Sequence, residues 1–140
     1  MSVLYFAYGS NLYIEQMIRR CPSAQVVGQA ALDDHHLTFF GVSQVWDRGG
    51  VADAEYRPRA RLHGAVYELD PADFEALDRF EDRYDRARRK VVAASGVLEC
   101  YTYHRKPNQT LNPPSARYLA TIAYGYRQHG LPLETLLAAL

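Results

Sequence analysis

Val3-Leu4-Tyr5-Phe6-Ala7-Tyr8-Gly9-Ser10-Asn11-Leu12 is the stretch around which the rest of the 140-residue chain is organised. Its first six residues are aliphatic, aromatic or β-branched and read as a buried strand. Gly9 breaks the run, and Ser10 or Asn11 is placed to cap a helix that follows. A strand that turns through glycine into a helix leaves several backbone N–H groups pointing one way without partners. Such preorganised donors suit a carboxylate or an oxyanion, and the helix dipole adds to the attraction. The same letters also describe a plain strand-to-helix turn with no ligand, so chemistry has to be sought elsewhere in the chain.

Composition narrows the class. Acidic and basic residues balance at 16 each, so no global field holds nucleic acid or an anionic membrane. No apolar run approaches the ~20 residues that span a bilayer, and the N-terminus lacks the basic region and cleavage site of a signal peptide. Cys21 and Cys100 are too few for a disulfide scaffold or a thiolate metal site. His35, His36, His63, His104 and His129 lack metal-binding spacing, and no Gly-rich nucleotide motif occurs. These features predict one domain over residues 1–140, a cytoplasmic setting, no cofactor or metal, and neither nucleic acid nor membrane as partner.

Outward from the opening stretch, Ile14, Met17, Ile18 and Cys21 form a helical stripe that Pro22 stops. Arg19 and Arg20 fall in its last turn, where helix electrostatics explain them better than a partner does. Gln25–Leu32 and His35–Phe40 read as strands divided by a turn at Asp33-Asp34. Trp46 to Gly50 reads as a loop, and Arg57, Arg59 and Arg61 as the solvated face of a strand. Leu62–Leu69 is a strand in which Gly64 marks a bulge or a close backbone approach. The charged run Asp82 to Lys90 reads as a solvated loop laced with ion pairs. Val91–Ala94 and Val97–Tyr103 flank Ser95-Gly96 as a hairpin. After a proline-containing loop, Ser115 caps a helix whose buried stripe is Leu119, Ile122, Ala123 and Tyr126 and whose stop is Gly130. Leu133–Leu140 adds a short helix. Strands and helices alternate without a βαβ rhythm, which predicts an α+β fold with an antiparallel or mixed sheet.

The helix opened by Asp70-Pro71 carries the most informative residue. Phe74, Leu77 and Phe80 share one arc of about 120°, and Glu81 falls within it. A carboxylate closing an apolar stripe admits two readings. It frays into solvent or pairs with Arg83 or Arg86, or it lines a cleft with a raised pKa, as a general base requires.

Three motifs in order resemble the γ-glutamylcyclotransferase-like, or AIG2-like, family: Tyr8-Gly9-Ser10-Asn11-Leu12, Leu77-Asp78-Arg79-Phe80-Glu81, and Pro114-Ser115-Ala116-Arg117-Tyr118 with Gly125 and Gly130-Leu131-Pro132. The resemblance spans nearly the whole chain. It implies a small mixed, largely antiparallel β-barrel with flanking helices. It also implies an enzyme that converts a γ-glutamyl amino acid or γ-glutamyl amine to 5-oxoproline and the free amine. The substrate's own α-amine attacks the γ-carbonyl, so no protein nucleophile is needed and holding the chain curled supplies much of the rate. On this resemblance Glu81 is the general acid/base. Tyr8, Gly9, Ser10, Asn11 and Leu12 hold the substrate, and Tyr118 is a wall or hydrogen-bond donor of the pocket. The partner implied is a small-molecule γ-glutamyl substrate, and a homodimer is an assembly to be looked for.

The chain departs from the family pattern at Asp82, where glycine is usual, in its short arginine-rich following segment, and at Gly49 to Asp53. These departures bear on the leaving-amine pocket more than on the reaction type. Glutathione itself is not the expected substrate, because glutathione-specific relatives carry a different turn. The rival reading is a non-catalytic module that binds a small acidic ligand at the Tyr8–Leu12 turn, with Glu81 a partnered structural acid. A weaker one is a nucleic-acid or protein adaptor using Arg83 to Lys90.

Overall fold

The computed structural model describes all residues, Met1–Leu140. Five strands close into a barrel: β1 (Val3–Ala7), β2 (Gln25–Phe40), β3 (Val51–Leu69), β4 (Tyr84–Ala93) and β5 (Gly96–Arg105), in the spatial order β1-β3-β2-β4-β5. Every pairing is antiparallel except β1 with β5, which meet in parallel at Tyr5 and Tyr101. Closure leaves no open sheet edge. Four helices flank the barrel: α1 (Ile14–Arg20), α2 (Pro71–Phe80), α3 (Ala116–His129) and α4 (Leu133–Leu137). This is the largely antiparallel barrel that the motifs imply. One cluster of 32 buried residues forms the core, with Phe6, Tyr67, Phe74 and Tyr126 among its bulkiest members.

Several local expectations change in three dimensions. Gln25 to Phe40 is one continuous strand, and Asp33-Asp34 form a bulge in it instead of a turn. Asp34 takes a positive φ of 63°, and its carboxylate accepts the N–H of Arg59, itself at φ 69° across the ladder. The Asp34 side chain therefore satisfies backbone that the pairing leaves open, while the Arg61 guanidinium pairs with the Asp33 carboxylate beside it.

The run Asp82 to Lys90 is the largest correction, because Tyr84–Ala93 is a strand and no loop. Its alternation is hidden by charge. Ala87, Arg89, Val91 and Ala93 turn inward to varying degrees, while Arg86, Arg88, Lys90 and Val92 face out. Arg86 stacks its guanidinium 4.4 Å from the centre of the Phe74 ring and pairs with Asp78 at 2.6 Å. Arg88 pairs with Glu99 on β5. Arginine stems thus do the packing that aliphatic side chains do in an ordinary strand. The hairpin that follows turns at Ala94-Ser95, one residue earlier than expected, since Ala93 pairs with Gly96.

On α1 the buried stripe is Met17 and Cys21, whereas Ile18 is exposed; the inward place beside Met17 goes to Gln16. On α2, Phe74 and Leu77 are buried but Phe80 is 55% exposed, its ring covered on one side by the Arg20 guanidinium at 5.0 Å. Gly64 marks a close approach, for a Cβ there would stand 2.3 Å from the Ala7 carbonyl oxygen. Ser115 accepts the Tyr118 N–H as the α3 cap, and Gly130 ends that helix at φ 67°.

Candidate active site

The strand β1 runs into Tyr8 and Gly9, and a single 3₁₀ turn, Ser10–Leu12, follows before α1. Neither Ser10 nor Asn11 caps a helix. Gly9 and Tyr13 occupy the cap positions without a side-chain cap of their own, and the first N–H of α1, that of Ile14, is accepted by Gln128 Oε1 at 2.8 Å. The two polar side chains point instead into a buried network. Gln16 Nε2 donates to Ser10 Oγ at 2.9 Å and to Asn11 Oδ1 at 3.1 Å. Of the turn's backbone donors, the Leu12 N–H is spent on Gly9 O, and the Gly9 N–H makes no hydrogen bond within the chain.

The turn is clamped from behind. A Cβ at Gly125 would stand 2.6 Å from the Leu12 carbonyl carbon, so α3 lies against the turn with no room for a side chain. His129, at the end of the same helix, approaches the Leu12 carbonyl at 2.8 Å, and the Tyr67 hydroxyl donates to Asn11 O at 2.8 Å.

Glu81 is the residue just past α2, its N–H still bonded to Leu77 O. Leaving the helix there aims its side chain at the turn. Glu81 Oε1 accepts from Asn11 Nδ2 at 3.0 Å and from Arg20 Nη1 at 3.3 Å. Oε2 accepts nothing from the protein. The side chain is 14% exposed. Burial pushes its pKa above the ordinary carboxylate value, and the exposed Asp82 adds a little in the same direction. Arg20 and Asn11 pull the other way without overcoming burial. Neither Arg83 nor Arg86, the partners weighed from sequence, pairs with it.

A small hollow opens between Glu81 and the turn, lined also by Tyr5, Tyr84, Tyr103 and Ala52. Tyr8, Gly9, Ser10, Asn11, Glu81 and Tyr118 from the predicted set all meet there; Leu12 does not, since its side chain is fully buried in the core beneath. The tyrosines are fixed by specific partners. Tyr8 donates to Tyr103 O at 2.5 Å, Tyr84 to Ala52 O at 2.5 Å, and Tyr103 to Asp78 Oδ1 at 2.6 Å. Tyr118 accepts the Ala52 N–H at 2.9 Å. Burial holds the Tyr8, Tyr84 and Tyr118 hydroxyls protonated, well above the usual phenol range. A wider cleft of about 1000 Å³ continues outward past Glu81 between Arg20, Val45, Trp46 and Arg83.

Sequence reading missed Tyr5, Tyr84, Tyr103 and, above all, Arg20. The arginine looked like a dipole partner at a helix end, yet it binds both Asn11 Oδ1 at 3.1 Å and Glu81. No local pattern marks a side chain whose partner lies 61 residues away.

The chain thus sets a buried carboxylate across a tyrosine-lined hollow from a glycine turn, on a small closed mixed barrel. The family described as gamma-glutamyl cyclotransferase, AIG2-like, matches residues 5–125, and the chain belongs to it. It is 35% identical to the gamma-glutamylcyclotransferase of Homo sapiens over 142 aligned residues, covering 95% of this chain and 74% of that protein. The Bos taurus protein of the same name is 33% identical, with the same coverage of both. A solved structure titled gamma-glutamyl cyclotransferase superposes with a TM-score of 0.92 at 33% identity, covering 99% of this chain and 86% of that one.

Proposed function

We propose that the chain is a γ-glutamyl cyclotransferase that closes a γ-glutamyl amino acid or γ-glutamyl amine to 5-oxoproline and releases the amine. The observation that carries this reading is the pairing of Glu81 Oε1 with Asn11 and Arg20 while Oε2 is left without a partner beside the hollow. One oxygen anchors the carboxylate, and the other is available to a proton.

Glu81 Oε2 takes a proton from the substrate α-ammonium, and the freed amine attacks the γ-carbonyl carbon. A C–N bond closes the five-membered ring, and negative charge gathers on the carbonyl oxygen. Gly9 N–H is a ready donor for that oxygen or for the substrate α-carboxylate. Tyr118 O–H is another: its oxygen accepts the Ala52 N–H, and its hydrogen can turn from the neighbouring Tyr84 oxygen toward the substrate. Glu81 then returns the proton to the departing nitrogen as the old amide C–N bond breaks, and the second proton of the ring nitrogen passes over the same carboxylate to the freed amine, which leaves as the ammonium. A free glutamate of pKa ~4.3 is a weak base for the first step, and burial brings Glu81 nearer to the working range. In this reading the glutamyl part lies in the inner hollow beside Glu81, and the amine portion leaves through the wider outer cleft.

Two of the β4 arginines, Arg86 and Arg88, are held by Asp78 and Glu99. No helix is long and apolar enough to cross a membrane. Both cysteines are buried and unpaired, and burial pushes each thiol up to about 11, a state that a reducing cytoplasm preserves.

The test is release of 5-oxoproline from a panel of γ-glutamyl amino acids and amines by the parent and by Glu81→Gln. Turnover by the parent and a fall of about 10²-fold or more in the variant are expected. An unchanged variant removes Glu81 from the mechanism.

A further inference from the structure

We infer that the Tyr5 hydroxyl donates a hydrogen bond to an anionic oxygen of the bound γ-glutamyl substrate, which makes it a further substrate-contacting residue; the inference rests on the cyclotransferase reading. Five tyrosines line the hollow. Three of them, Tyr8, Tyr84 and Tyr103, spend their hydroxyl hydrogens on acceptors of the chain itself. Tyr118 can turn its hydrogen away from Tyr84, and Tyr5 has no acceptor for its own.

For Tyr5 the direction of its one hydrogen bond is fixed by chemistry. Asn11 Oδ1 faces Arg20 Nη1 at 3.1 Å, and a guanidinium has only donors, so the amide oxygen must be on that side. The Asn11 Nδ2 group therefore carries its two hydrogens the other way, one to Glu81 Oε1 and one to the Tyr5 oxygen, each at 3.0 Å. Tyr5 is an acceptor in that contact, and its own hydrogen finds no acceptor in the chain.

The ring has no freedom to look for another partner. It is 4% exposed and packed against Tyr67, Phe74 and Tyr103 at centroid distances of 6.5, 6.0 and 5.7 Å. Only rotation of the hydroxyl hydrogen is left. A buried O–H without an acceptor is costly and uncommon, and this one borders a hollow that also presents the Gly9 N–H and the Tyr118 hydroxyl. Three neutral donors around one space, with the nearby carboxylate already anchored, match an oxygen bearing negative charge. A γ-glutamyl compound brings two such oxygens: the α-carboxylate, charged from the start, and the carbonyl oxygen that becomes charged during ring closure.

Tyr5→Phe deletes the donor and keeps the ring. Steady-state release of 5-oxoproline should fall about 10-fold or more in kcat/KM, with the thermal midpoint close to the parent's. Two arms locate the oxygen. Contact with the α-carboxylate raises KM and narrows the parent's preference for 5-oxoproline over 2-pyrrolidinone, which lacks the carboxylate. Contact with the oxyanion lowers kcat and leaves that preference alone. Either pattern supports the inference. Values of kcat, KM and binding preference within about twofold of the parent overturn it. So does a loss explained wholly by displacement of the acid limb of the pH–rate profile, for then Tyr5 acts only through Asn11 on Glu81. A parent that releases no 5-oxoproline from any γ-glutamyl compound overturns the cyclotransferase reading itself, whatever the variant does.

Discussion

Asn11 donates from Nδ2 to Glu81 Oε1 across 3.0 Å, tying the glycine turn after β1 to the end of α2, 70 residues later. The same side chain gives its other hydrogen to Tyr5 and receives Gln16 and Arg20 on its oxygen. One amide thus fixes the carboxylate, the turn and α1 relative to one another. A buried network in which every polar atom of the Asn11 side chain is engaged specifies a single geometry more than it adds net stability.

Asn11→Leu keeps the volume and removes every one of those bonds. Several buried polar groups lose a partner, at about 1–3 kcal/mol for each group left unsatisfied. The urea midpoint should drop accordingly. Whatever folds should turn over slowly, because Glu81 loses its anchor. A variant with parental stability would mean that water replaces the amide without cost.

The pH dependence of kcat/KM should place its acid limb above the ordinary glutamate pKa. Glu81 acts as a base only when ionised, and burial raises its pKa, so activity is full above that pKa and falls as pH drops through it. The linkage to stability has the opposite sense. A carboxyl whose folded pKa lies above its unfolded one favours the folded state at low pH, and that contribution is lost as pH rises through the folded value. Glu81→Gln should therefore be at least as stable as the parent at neutral pH, the difference closing as the medium is acidified. Chemical denaturation at several pH values measures it, and a clear loss of stability at neutral pH would mean that the Arg20 pair outweighs desolvation.

Arg20→Gln isolates the other control on the same group. The guanidinium at 3.3 Å lowers the Glu81 pKa against the effect of burial. With it gone, the acid limb of kcat/KM should move to higher pH, while the plateau falls less than in Glu81→Gln. High salt should imitate little of this shift, because the pair is only 18% and 14% exposed. An acid limb that stays put would show that Arg20 serves α1 and not the carboxylate.

What the sequence made legible follows from how local each feature is. β1, the glycine turn and the Glu81 stripe are written in consecutive or helically spaced residues, and three separate motifs locate them. β4 was not legible, because Arg86, Arg88 and Arg89 carry no hydropathy alternation, although their stems and charges pack as a strand's side chains do. Phe80 misled for the complementary reason. Its apolar ring fits the stripe, but it is left more than half exposed and Arg20 covers it from outside. Arg20 matters through Glu81, 61 residues away, and Tyr5 through a hollow that residues from four other parts of the chain close around it, relations that no window of sequence contains.

Gly125→Ala tests how far the turn depends on what lies behind it. The added methyl would stand 2.6 Å from both the Leu12 carbonyl carbon and the Leu12 Cβ, and 2.7 Å from the Tyr13 nitrogen. These are backbone atoms and the root of a fully buried side chain, so rotamer changes give no relief. Either α3 or the turn has to move. In an exposed helix the same change would stabilise through propensity; here overpacking should win, at about 1–3 kcal/mol. Because Tyr118 and the turn line the same hollow from the two displaced elements, kcat/KM should fall together with the denaturation midpoint. Gly96→Ala is the matched control. A Cβ there meets nothing within 4 Å, and its φ of 121° strains only the hairpin. It should lower stability without lowering the turnover of the folded enzyme. Equal losses of turnover in both variants would separate activity from the seating of α3 and place the cause in general loosening of the barrel.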